Sequence, residues 1–357
     1  MFPFKIPKSL SQVVSKAKTL FFLTFILAIL VFSASAQEIN EIQDEQEVQK
    51  INVTARSFVI MDAQTGRILL SFRPHLQHPP ASTLKVMTAM YVMEKLNMND
   101  RVEISRYAAD APASKIYMKP GDVYTVRELM YALLLSSAND GARALAERVS
   151  GSESDFAQEL TWQVREWGAE NTSLATANGL PAKNQYSTAY DLALLFRMAM
   201  QNPVLAEIMG TRYYDIHGGK KLRNHNRFLF TLPIAVGGKT GYTCASRHTY
   251  VGMFRNEDKE IIISMMGSGQ SWTDLRTLIE AGFDLSGASV GKLQPDEEKL
   301  WPKRRYTKKT VNLVKHKAKR KIKPKAKQTV KQAVKPKAKP KVNQNVKRAA
   351  YKKKASR

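Results

Sequence analysis

Cysteine is almost missing from this sequence: Cys244 is the only one in 357 residues. No internal disulfide can form, so the fold must rest on its core. A lone thiol is either a reactive group or an incidental small side chain, and the sequence leaves both open. Acidic residues are missing from both ends. None precedes Glu38, and none lies between Lys303 and Arg357, where 24 of the 56 lysines and arginines stand. The rest of the chain carries 32 basic against 31 acidic residues, so the net charge of +25 belongs to the tail and the remainder is near neutral. The tail, as in "VKPKAKPKVNQNVKRAAYKKK", is self-repelling and has too little apolar content for a core, which predicts disorder. A long hydrophobic run is also missing. The best candidate, Leu20 to Phe32, covers 13 residues, whereas a spanning helix needs about 20. It follows Lys5, Lys8, Lys16 and Lys18 and precedes Ala34-Ser35-Ala36, a small-x-small cleavage pattern. Residues 1–36 therefore read as a secretory signal peptide, with a retained anchor as the competing reading. No cysteine stands at that cut, which argues against a lipoprotein.

What is present begins with an acidic lead-in over 37–54. "SFVIMDAQTGRILLSF" (57–72) gives two β-rich runs around a turn at Gln64-Thr65-Gly66, a hairpin pattern. Pro79 and Pro80 precede a helical period running from Ser82 to about Leu96. Thr125-x-x-Glu128 forms a capping box ahead of Leu129, Met130, Leu133 and Leu134. That helix breaks at "SSAND" (136–140) and resumes as "GARALAERVSG". "STAYDLALLFRMAM" (187–200) is a further helix, "TYVGMF" (249–254) and "EIIISMMG" (260–267) form a second hairpin, and "WTDLRTLIEAGF" (272–283) a closing helix. Strands at both ends of a helical middle predict one α/β domain of the α+β kind. Its antiparallel sheet pairs the early and late hairpins, with a helical subdomain alongside.

Three short patterns carry chemistry. Ser82 and Lys85 stand one helical turn apart, so the lysine amine can reach the hydroxyl. A serine is a poor nucleophile until its proton is taken, and lysine takes it only when neutral. Its reference pKa near 10.4 must then fall by about three units, through burial and a second nearby cation. The plain alternative is the polar start of a helix. Ser137-Ala138-Asn139 sits at a helix break, where the serine can relay a proton and the amide can hold a lysine and a substrate carbonyl, or where both simply cap. Lys239-Thr240-Gly241 lies just before the strand over 249–254, or begins it. There it offers an edge to an extended peptide and a lysine and threonine to a carboxylate, or is only a glycine-rich turn. A second S-x-x-K match, Ser289 to Lys292, follows the last helix, contains Gly291 and has no partners downstream.

S-x-x-K, S-x-N and K-T-G in this order form a pattern of penicillin-binding proteins and serine β-lactamases. The chain resembles the low-molecular-mass penicillin-binding proteins that are serine-type D-alanyl-D-alanine carboxypeptidases, peptidase family S11. The resemblance runs from about 55 to 285. It rests also on "IMDAQTGRILLSFRPHLQHPPASTLKVMTA" (60–89), "LLLSSANDGARALAE" (133–147), "ANGLPAKNQYSTAYDLALL" (177–195), "RNHNRFL" (223–229) and "GGKTGYTCAS" (237–246). It implies a β-lactamase/transpeptidase-like fold over 55–290, which leaves 291–357 to the lysine-rich tail read from composition. It implies Ser82 as nucleophile and Lys85 as general base, with Ser137 and Asn139 in the proton relay and substrate-positioning group. Lys239, Thr240 and Gly241 would take the terminal carboxylate, and the backbone N–H groups of Ser82 and Tyr242 the oxyanion. The implied partners are the peptidoglycan pentapeptide and β-lactam antibiotics, with no cofactor and no metal. The implied place is the periplasm or cell envelope.

The chain departs from the family in three places. Ala245 is followed by Ser246 and Arg247 where "AG" is common. "MMGSGQS" lacks the arginine that many members carry after that glycine, which leaves Arg247 or Arg276 as substitutes. The lysine-rich tail stands where many members have a C-terminal β-domain and an amphipathic helix. Anionic envelope polymers or lipid headgroups are the expected tail partners, with no specific nucleic acid. A β-lactamase is the rival enzyme, but no E-x-x-L-N segment lies between the second and third motifs. A non-catalytic envelope polyanion or peptidoglycan binder is the third reading.

Overall fold

The computed structural model describes residues 51–294. The signal peptide and most of the acidic lead-in and of the lysine-rich tail read from the sequence lie outside those residues.

In chain order, β1 (Ser57–Asp62) and β2 (Ile68–Phe72) lead into a 3₁₀ turn (Ala81–Leu84) and α1 (Lys85–Lys95). β3 (Arg101–Glu103), α2 (Arg106–Ala109), β4 (Val123–Thr125), α3 (Val126–Leu135), α4 (Asn139–Ser150) and α5 (Glu153–Glu166) follow. Then come α6 (Ala189–Gln201), α7 (Pro203–Gly210), β5 (Tyr213–Ile216), β6 (Lys220–Arg223) and α8 (Phe228–Thr231). The chain closes on β7 (Ala235–Thr243), β8 (Arg247–Asn256), β9 (Lys259–Ser268) and α9 (Ser271–Ser286).

The main sheet is antiparallel in the order β2-β1-β9-β8-β7. The first hairpin is joined to the last by the β1–β9 ladder, with Phe58 opposite Met265 and Ile60 opposite Ile263. Period-two alternation then sends each strand's side chains into two separate cores. Phe58, Ile60, Ile261, Ile263 and Met265 pack with Leu275, Leu278, Ile279 and Phe283 of α9. Val59, Met61, Ile262, Met266 and Val251 pack with the helical body built on α1, α3, α4 and α6. A sheet covered on both faces needs no polar face, which is why "EIIISMMG" reads as a continuous apolar run.

Local chemistry fixes the element ends near the cleft. Thr125 and Glu128 form the anticipated capping box at α3. Burial pushes the Glu128 carboxyl up, but four bonds from the backbone and side chains of His217 and Thr125 outweigh it and hold the group down to about 2. α3 stops at Leu135, and Ser137 takes a left-handed conformation with φ +57 that turns the chain into α4. Ser152 caps α5 by accepting from the Asp155 N–H.

Two expectations are corrected. The helix foreseen from Ser82 begins as a 3₁₀ turn, and the α-helix proper starts at Lys85. Thr83 Oγ1 donates to the Pro80 carbonyl at 2.6 Å, which tightens the turn that the prolines open. The Lys239-Thr240-Gly241 triplet lies on a nine-residue strand of its own, β7, paired with β8 and at the edge of the sheet. Its three glycines carry no β signal, yet the packing requires them. A Cβ on Gly238 would stand 2.8 Å from the Tyr250 hydroxyl, and one on Gly241 2.4 Å from Thr249 Oγ1.

Candidate active site

The cleft lies where the 3₁₀ turn, the break between α3 and α4, and the inner end of β7 meet. It encloses about 320 Å³ and is lined by Ser82, Ser114, Ser137, Thr240, Gly241, Tyr242 and Thr249, with His225, His248, Ser271 and Trp272. β7 is brought against the turn because Gly241 has no side chain: a Cβ there would stand 2.8 Å from the Ser82 nitrogen. Thr249 on β8 adds a tie, its hydroxyl donating to the Pro80 carbonyl at 2.8 Å.

Behind the cleft stand two buried lysines. Lys85 is wholly inaccessible and donates to Ser82 Oγ at 3.0 Å, Asn139 Oδ1 at 2.8 Å and the Asn178 carbonyl at 2.5 Å. Lys239 is equally buried and donates to Ser137 Oγ at 3.0 Å and the Thr240 carbonyl at 2.8 Å. Asn139 is fixed at its other end, where Nδ2 donates to the Pro112 carbonyl at 3.0 Å. Each lysine therefore addresses one serine hydroxyl.

Electrostatics favours neutral amines. Burial pushes Lys85 well below the usual lysine range, and the charge of Lys239 pushes it further, against the opposing pull of Glu153 and Asp140. Burial alone brings Lys239 down to about 7. A buried ammonium is costly, and two in one pocket more so. A neutral lysine one turn from a serine hydroxyl is a general base in position.

All eight residues singled out from the sequence meet here. Ser82, Ser137, Thr240, Gly241 and Tyr242 line the cleft, while Lys85, Asn139 and Lys239 reach it through the bonds above. The arginine substitutes do not line it. Arg247 lies in a neighbouring groove with Arg56, Thr54, Gly267, Gly269 and Gln270, its guanidinium 3.2 Å from where a Cβ on Gly269 would stand. The side chains of ring type at the cleft wall are instead His225, His248, Tyr242 and Trp272. Burial and Arg247 both push His248 below the usual imidazole range. The second S-x-x-K match has no part in the site: Lys292 is exposed and pairs with Glu280 at 2.9 Å.

Sequence reasoning passed over Asn178, Gly179 and Glu153. Asn178 acts through its backbone carbonyl, which any residue type supplies. Gly179 was detectable in principle within "ANGL": it takes φ +80, and a Cβ on it would fall 1.9 Å from the Ala81 carbonyl oxygen.

An antiparallel sheet with helices on both faces, and a serine–lysine pair at its edge, defines the β-lactamase/transpeptidase-like class of proteins. A solved structure of a D-alanyl-D-alanine carboxypeptidase from Mycobacterium tuberculosis superposes with a TM-score of 0.63 at 33% identity, covering 68% of this chain and 96% of that one. Penicillin-binding protein D2 from Listeria monocytogenes, solved in its ampicillin-bound form, superposes with a TM-score of 0.60 at 27% identity over 65% of this chain and 99% of that one.

The family model for D-alanyl-D-alanine carboxypeptidase, peptidase S11, matches residues 43–270, and the chain belongs to that family of serine-type enzymes. Among its relatives is the carboxypeptidase DacB2 of Mycobacterium tuberculosis, 35% identical over 67% of this chain and 86% of the relative. DacF of Bacillus subtilis is 31% identical over 63% of this chain. DacC of Escherichia coli is 32% identical, also over 63%. The chain spans only 60% and 59% of the length of these last two.

Proposed function

We propose that this protein removes the terminal D-alanine from peptidoglycan stem pentapeptides through an acyl-enzyme on Ser82, and that penicillins acylate the same serine. The observation that carries the reading is the 3.0 Å contact between a fully buried Lys85 amine and the Ser82 hydroxyl.

Neutral Lys85 takes the Ser82 proton as Oγ attacks the carbonyl carbon of the D-Ala-D-Ala bond. The developing oxyanion is received by the backbone N–H groups of Ser82 and Tyr242, each such donor being worth about 10²–10³ in rate. Ser137, joined to Lys239, relays to the leaving nitrogen the proton that Lys85 took, so Lys85 is neutral again as the C–N bond breaks to release D-alanine. Asn139 orients Lys85 and the substrate carbonyl. Lys239, Thr240 and Gly241 hold the terminal carboxylate. Water then attacks the ester, Lys85 accepts its proton and returns it to Ser82 Oγ as the acyl C–O bond breaks, and Ser82 is regenerated.

The domain is taken to span 55–290 and to work after export, in the periplasm or envelope. The relatives named above are bacterial, and no helix among the described residues is long and apolar enough to cross a membrane.

The test is intact-mass spectrometry of the full chain after exposure to benzylpenicillin, with peptide mapping and release of D-alanine from a synthetic pentapeptide as companion assays. A long-lived adduct on Ser82, lost in Ser82→Ala, is expected. No adduct overturns the reading, and rapid turnover of the penicillin replaces it with a β-lactamase.

A further inference from the structure

Behind Lys85 lies a second layer that the reaction scheme does not use. Glu153, the first residue of α5, is buried at 6% exposure. Its Oε1 accepts from the Ala177 N–H at 3.0 Å and from Asn178 Nδ2 at 2.9 Å. Its Oε2 accepts from the Tyr107 hydroxyl at 2.5 Å and from Arg143 Nε at 3.0 Å. The start of a helix suits a carboxylate there. Four donors from three separate parts of the chain converge on one side chain, far more than a cap requires.

What Glu153 holds is the loop that touches the base. The Asn178 side chain is gripped by Glu153, while its backbone carbonyl receives Lys85 at 2.5 Å. The neighbouring Ala177 carbonyl accepts from Thr88 of α1 at 2.8 Å, and Gly179 is pressed against the Ala81 carbonyl beside Ser82. The loop is thus clamped between Glu153 on one side and the nucleophile turn on the other.

We propose that Glu153 is a positioning residue for the general base: through Ala177 and Asn178 it fixes the carbonyl that receives Lys85, and it supplies one of the two negative charges that act on this lysine. The charged groups around Lys85 are Lys239 from β7, Asp140 from α4 and Glu153 from α5. Lys239 favours the neutral amine, whereas the two carboxylates favour the ammonium. Asp140 is turned to other work, accepting from the N–H groups of Ile116, Met118 and Gly141. Glu153 is in turn tempered by Arg143, whose charge opposes its own. The pair Arg143–Glu153 therefore tunes where Lys85 loses its proton without touching substrate.

This inference rests on Lys85 being the base, and its test separates the two. The rate of Ser82 acylation by a fluorescent penicillin is measured against pH in the full chain, beside a melting curve for each variant. Glu153→Gln keeps the Oε1 acceptor for Ala177 and Asn178 but removes the charge. The rise of rate with pH should then begin about half to one pH unit lower, with the plateau near wild type. Arg143→Met leaves the full charge on Glu153 and should move the rise to higher pH. Opposite shifts of this kind are not produced by a loosened loop. Glu153→Ala releases the carbonyl and should lower the plateau by roughly tenfold or more, the size expected of a misplaced base, and Gln should restore it. Superimposable profiles for the Gln and Met variants, or an Ala variant acylating as fast as wild type, overturn the proposal. A wild-type chain that forms no adduct sinks the functional reading instead.

Discussion

At the scale of the residue, the two lysines make opposite demands on stability and chemistry. Lys239 titrates at about 7 in the folded chain against an ordinary 10.5. Below pH 7 it is charged both folded and unfolded, and the fold bears the whole cost of burying the charge. Between about 7 and 10.5 the folded amine is neutral while the unfolded one still binds a proton, so stability climbs with pH across that window. Lys239→Met should therefore melt higher than wild type at pH 6, by an amount worth a few kcal/mol. The advantage should fade toward pH 10, while acylation is lost throughout. A thermal scan of both proteins at several pH values checks this; a variant no more stable than wild type at pH 6 would refute it. The sequence already demanded a second cation near Lys85, because a lysine base needs its charge disfavoured. It could not supply Glu153, which stands at a distant helix start and meets the site only through folding.

At the scale of the element, the site is an agreement between three chain breaks: the prolines before α1, the left-handed Ser137 between α3 and α4, and the glycines of β7. The first two were legible in the sequence, since Pro-Pro and a capped helix followed by "SSAND" are local signals. β7 was not read as a strand of its own, because strand signals come from side chains and three of its nine residues have none. The loop 177–180 was missed for a related reason: its function lies in a carbonyl and an absent Cβ. Gly179→Ala tests that point. The added methyl meets the Ala81 carbonyl at 1.9 Å in a left-handed backbone, so the loop must withdraw from the nucleophile turn. Acylation should fall by roughly a hundredfold, as for a reacting group displaced by about 1 Å. The chain should remain folded by circular dichroism. Unimpaired acylation would show that this contact does not set the geometry.

At the scale of the whole molecule, charge and catalysis are separated along the sequence. The peptidase region is near neutral, and 24 lysines and arginines with no acidic residue fill 303–357. The clustered charge supports a reading in which the tail holds the enzyme to anionic polymers or headgroups of the envelope. Deleting 303–357 should leave the rate of penicillin acylation unchanged and shift the protein from the envelope to the soluble fraction. The full-length protein should be released by salt alone, since clustered lysines bind polyanions through counterion exchange. Identical fractionation of the two forms would dismiss the tether.

The buried lysine pair also limits the conditions under which the enzyme can work. In the proposed reaction a carboxylate arriving at Lys239 gains most when that amine carries its proton, so affinity should weaken as the solution becomes alkaline. The proposed attack by Ser82 gains as Lys85 sheds its proton, so the chemistry should weaken as the solution becomes acid. Binding and reaction thus pull in opposite directions along the pH scale, and turnover is expected to peak between the two limits. The two limits move separately, since burial alone sets Lys239 whereas Lys85 answers also to Lys239, Glu153 and Asp140.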